Sequence, residues 1–74
     1  MNTQLTGTIS YQDIGVGTWV LVTSNQETYE LHDPSPQLRK AGLKVAVQGV
    51  IREDIMTLAM IGPVFEVASF EILS

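Results

Sequence analysis

Leu5, Gly7, Ile9 and Tyr11 alternate with Thr6, Thr8 and Ser10, the period of two expected of a strand with one buried face. Gly7 sits inside that strand, where a glycine weakens pairing unless the chain must bend or bulge, so a curved sheet is predicted. Asp13 to Gly17 carries two glycines and reads as a turn. Thr18 to Thr23 (Thr-Trp-Val-Leu-Val-Thr) is β-branched and aromatic enough for a second strand. Ser24-Asn25-Gln26 then turns the chain into a third strand over Glu27 to His32. There Tyr29 and Leu31 share one face, while Thr28, Glu30 and His32 share the other, expected to be wet.

Asp33-Pro34-Ser35-Pro36 ends the pairing, because proline has no ladder donor. Ser35 before Pro36 is an N-cap with proline at the first helical position, which predicts a short helix over Pro36 to Ala41. Leu38 faces inward in that helix, Arg39 and Lys40 lie near its C-terminal end, and Gly42 is the left-handed stop. Lys44 to Glu53 alternates again, with Val45, Val47, Gly49 and Ile51 on one face. Glu53-Asp54 turns the chain into an arm strand over Met56 to Ile61, Gly62-Pro63 breaks it, and Val64 to Leu73 is the last strand. Its phase slips, since Phe65 and Val67 share one parity while Phe70 and Ile72 share the other. A bulge at Ala68-Ser69 restores one inward face.

Three strands, a short helix, then further strands with an extra hairpin arm resembles a small, mostly β, OB-like five-stranded barrel. The resemblance covers essentially the whole chain, 1–74, as a single OB-like domain. It rests on the Gly7 bend, on the helix between strands three and four, and on Gly42-Leu43-Lys44-Val45-Ala46-Val47-Gln48-Gly49-Val50. That stretch is similar to the fourth-strand entry of small bacterial OB-like proteins, as is Gly17-Thr18-Trp19 with Tyr29-Glu30-Leu31; no activity comes with the likeness. An SH3-like barrel is the rival architecture. Its helical turn normally precedes the last strand, whereas here a long strand and another full one follow.

The 74 residues include no cysteine, so stability must come from a close-packed core or a partner surface, without disulfides or cysteine-held zinc. Eight acidic residues against four basic ones give a formal charge of −4, which repels a phosphate backbone and disfavours nucleic acid as a partner. Arg39, Lys40 and Lys44 form only a small basic spot. The N-terminal Met1-Asn2-Thr3-Gln4 has neither a basic region nor an apolar stretch behind it, and no apolar run is long enough to span a bilayer. A cytoplasmic, non-membrane protein is therefore expected.

In OB barrels ligands commonly lie across strands two and three, a surface that here draws on Trp19, Tyr29, Glu30 and His32. An exposed Trp19 or Tyr29 offers a stacking face for a base or sugar. Burial makes each a core residue, and Trp19 is placed at the core or its margin, with Tyr11 read the same way. Glu30, His32 and Asp33 lie close in sequence, but a single histidine leaves a transition metal short of ligands, and Asp33 before Pro34 reads as a turn residue. With no nucleophile elbow, phosphate-cradling loop or paired carboxylates, no enzyme, cofactor or metal is expected. Ile55 to Phe65 contains no charge and two of the three methionines, with apolar residues of both parities. Met56, Leu58, Met60 and Ile61 are thus the candidate interface of a non-catalytic binding or assembly module, its partner another protein or a second copy. An OB-type binder of single-stranded nucleic acid or saccharide is the alternative.

Overall fold

A computed structural model describes residues 2–13, 17–55 and 61–73. The chain forms β1 (Thr3–Gln12), β2 (Thr18–Thr23), β3 (Thr28–Leu31), a 3-10 turn (Pro36–Leu38), β4 (Lys44–Arg52) and β5 (Val64–Ile72). The strands close into a barrel in the order β1-β2-β3-β5-β4. All neighbours are antiparallel except β3 and β5, which run parallel over the two pairs Glu30 with Val64 and Leu31 with Phe65. The helical turn stands between β3 and β4, ahead of two full strands. This is a small OB-like barrel, mostly β.

Closure depends on β1 serving two partners. Thr3 to Thr8 pair with β4 and Gly7 to Gln12 pair with β2, so Gly7 and Thr8 are the hand-over. A Cβ on Gly7 would overlap the Val22 carbonyl and approach Thr23 Cα to 2.9 Å, which is why the bend requires glycine. The second device is the bulge. Gln48 pairs with Ser69 and Gly49 with Val67, leaving Ala68 as an extra residue in β5. Phe65, Val67 and Phe70 thereby all turn toward the barrel interior despite their change of parity, as the sequence predicts.

Ile9, Leu21, Leu31, Leu38, Val45, Val47 and Phe65 form the buried core, with Leu5, Trp19, Tyr29, Leu43, Val67 and Phe70 packed around it. These are the inward positions of all five strands, plus Leu38 closing one end. The expected helix over Pro36 to Ala41 is only the 3-10 turn Pro36–Leu38. Its start is as predicted, with Ser35 Oγ accepting from the Gln37 N–H at 3.4 Å. It stops at Leu38 because Arg39, at φ −85° and ψ 62°, leaves the helical conformation; beyond it the chain is tied to β1, the Gly42 N–H donating to the Ile9 carbonyl and the Ile9 N–H to the Leu43 carbonyl, both at 2.8 Å. Gly42 has φ +89°, the left-handed conformation that lets the chain turn back there. Arg39 meets no helix end; its Nε donates to the Pro34 carbonyl at 2.9 Å and its guanidinium reaches Asp33 at 3.4 Å.

Candidate functional site

The four residues singled out on strands two and three do not converge. Leu21 pairs with Tyr29, and Trp19 and Tyr29 lean on the core, Tyr29 meeting Phe65 edge-on with ring centroids 6.2 Å apart. Glu30 belongs to the opposite face, as alternation requires, and His32 follows just beyond the end of β3, exposed. The middle of that outer face is buried where it was expected to be wet, while Thr28 is half-buried and His32 exposed. Val20, Glu30, Val64 and Arg52 stand in one row across β2, β3, β5 and β4; Glu30 is only 6% exposed, with Val20 and Val64 also buried. Among the described residues no buried side-chain nitrogen or oxygen lacks a hydrogen-bond partner.

Beside this row lies a charged cluster. Arg52 forks onto both carboxylate oxygens of Asp54, at 2.9 and 2.7 Å, and its other terminal nitrogen donates to Glu66 at 2.9 Å. The bonds from Arg52 pull the Asp54 carboxyl down from its ordinary 3.8 to about 2, and the two carboxylates raise the guanidinium further above its usual range. With its guanidinium committed to two acids, the group is a structural clamp between β5 and the turn after β4. Among the described residues no three His, Cys, Asp or Glu side chains are grouped to hold a metal.

Aromatic surface is found elsewhere, at the β1–β2 end. Tyr11 pairs with Trp19 across the strands, their ring centroids 4.8 Å apart and tilted by 59°. Tyr11 is 45% exposed, which corrects its placement in the core: it continues the inward face of β1 past the end of the barrel interior. Gly17, at φ +91°, has no Cβ where the Tyr11 hydroxyl lies. The signal was present in the sequence as Gly17-Thr18-Trp19, but only the register brings Tyr11 onto it.

Of the candidate interface, Met56, Leu58 and Met60 lie outside the described residues, as does all but Ile61 of the expected arm strand. Ile61 is half-buried and belongs to no strand. The residues after it are seated on β3, with the Glu30 N–H donating to the Pro63 carbonyl at 2.8 Å. Among the described residues the most open apolar surface is the far end of β5, where Ile72 is 47% and Leu73 50% exposed. Being consecutive, they point to opposite sides, so neither face of the strand end is covered. Leu73 also borders a surface groove of about 220 Å³ over the β1 hand-over, lined by Thr6, Thr8, Val22, Thr23 and Lys44.

The fold and these surfaces define a small OB-like barrel whose outer β2–β3 face is buried at its centre and whose open apolar area, among the described residues, lies at strand ends. Compared with protein families, curated proteins and solved structures, the chain shows no significant match. Among the described residues no helix is long and apolar enough to cross a membrane.

Proposed function

We propose that the chain is a non-catalytic binding or assembly module that acts through protein–protein contacts. The observation that carries this is the uncovered end of β5, where Ile72 and Leu73 leave apolar surface open on both sides of one strand. A buried Glu30 and Val20 on the outer β2–β3 face argue against the flat ligand platform of a typical OB binder. Sedimentation velocity across the micromolar range, for the wild type alone and with host extract, tests the reading. A complex that Leu73→Glu weakens by about tenfold or more supports it, since a desolvated carboxylate opposes association. A strict monomer with no captured partner, indistinguishable from Leu73→Glu, overturns it.

One observation favours a second reading, a binder of sugars or unpaired bases. The half-exposed Tyr11, tilted against Trp19, is an open aromatic face, and base stacking on such a face contributes roughly 1–3 kcal/mol. Titrating Trp19 fluorescence with glycans and short single strands at low salt decides it, and an unchanged spectrum with all of them rejects it.

A further inference from the structure

We propose that the free edge of β5 around Phe70 to Ile72 is a strand-addition site for an extended basic segment of a partner protein. The proposal rests on the protein-binding reading above and names its surface. β3 ends at Leu31, having paired with β5 only at Val64 and Phe65, and the His32 N–H to Phe65 carbonyl bond at 2.9 Å is the last from that side. β5 continues to Ile72 along β4 alone. The Leu73 N–H donates to the Lys44 carbonyl at 2.8 Å, so by alternation Glu71 and Ser69 also turn their backbone groups to β4. Phe70 and Ile72 therefore turn theirs to the side that β3 has left, where no described residue bonds to them. An unpaired row of this kind is a template for another strand.

The edge of β1 on its β2 side is open too, at Gln4 and Thr6, but those exposed polar residues give an added strand no apolar surface to cover. The β5 edge is flanked by Ile72 and Leu73, both about half exposed, which give an added strand apolar surface to cover. Charge selects the occupant. Glu66 is held by Arg52, whereas Glu71 is exposed and makes no ion pair among the described residues. A second copy is a poor occupant, because joining two β5 edges sets the glutamates of both on one ribbon and unites two chains of formal charge −4. An incoming strand with apolar side chains over Phe70 and Ile72 and a lysine or arginine beside Glu71 fits both features.

The test titrates the isotope-labelled full chain with a capped peptide of alternating valine and lysine, about ten residues long to span a strand. The amides of Phe70 and Ile72 are expected to shift and to slow in exchange. Alternating valine and glutamate, or the lysine peptide N-methylated at alternate amides, should bind at least about tenfold more weakly. Ile72→Pro removes an edge-facing donor without touching the β4 ladder, and should abolish the shifts while the Leu73 amide stays protected. Glu71→Lys should reverse the charge preference and covers the case in which Ile72→Pro unfolds. Equal binding of the N-methylated peptide, or shifts confined to other residues, overturns the proposal. So do Phe70 and Ile72 shifts that follow protein concentration alone, which would make a second copy the occupant. Assembly seen by sedimentation is independent of the added peptide, so the edge can fail while the module reading stands.

Discussion

Replacing Gly7 with alanine adds one methyl group at the position on which closure depends. Placed on the present backbone, the new Cβ would overlap the Val22 carbonyl oxygen and lie 2.8 Å from the Val22 carbonyl carbon and 2.9 Å from Thr23 Cα. All three atoms are backbone of the neighbouring strand, so no flexible side chain can move aside. Overpacking of this kind costs about 1–3 kcal/mol, against a gain of only about 0.4–1 kcal/mol from restricting the unfolded chain. The sign is therefore destabilising. A 74-residue domain has a net stability of about 4–11 kcal/mol, so the loss is a large fraction of the whole. Urea unfolding followed by Trp19 fluorescence should show a midpoint lower by about 1–2 M at an unchanged slope near 1 kcal/mol/M. Gly42→Ala is the comparison: nothing lies within 4 Å of its Cβ position, and its cost comes from the left-handed backbone alone. If Gly7→Ala were as stable as the wild type, β1 would not pass from β4 to β2 at residue 7.

Other consequences can be measured in the same way. Leu38 is fully buried from a three-residue turn, and Leu38→Ala should lower stability by about 2–5 kcal/mol, enough to leave a measurable unfolded fraction in calorimetry. Because Asp54 is held at about 2 against an ordinary 3.8, its contact with Arg52 stabilises the fold above the higher value and is lost as pH falls from about 4 to about 2. Arg52→Gln should thus be less stable than the wild type at neutral pH, with the gap narrowing through that window in acid unfolding followed by circular dichroism. Gly17→Ala should displace the Tyr11 hydroxyl and alter Trp19 emission while the core stays folded; an unchanged spectrum would refute the Tyr11–Trp19 contact.

Much of the barrel was legible because alternation fixes which face each side chain takes. Ile9, Leu21, Val45 and Val47 all fall on the inward face read from the period of two, and the parity change between Val67 and Phe70 located the bulge at Ala68-Ser69, which the register narrows to Ala68. Ser35-Pro36 marked the start of the helical turn but not its early end at Leu38, and the bonds that tie Gly42 and Leu43 to Ile9, more than thirty positions earlier in sequence, are long-range ones that no local pattern encodes. The burial at the centre of the outer β2–β3 face was hidden for the same reason. A strand written Thr-Tyr-Glu-Leu looks half wet, and only its place between β2 and β5 puts Glu30 between two buried valines. Tyr11 erred the other way, since parity gives its face but not that the barrel interior ends below it.

The central claim is that β5 ends in an edge and an apolar surface that no described residue covers, and amide hydrogen exchange along Ser69 to Leu73 tests it most directly. Alternation is expected: Ser69, Glu71 and Leu73 protected by β4, with Phe70 and Ile72 exchanging far faster in the free protein. Uniform protection of all five amides would show that the edge is already paired, and would contradict it.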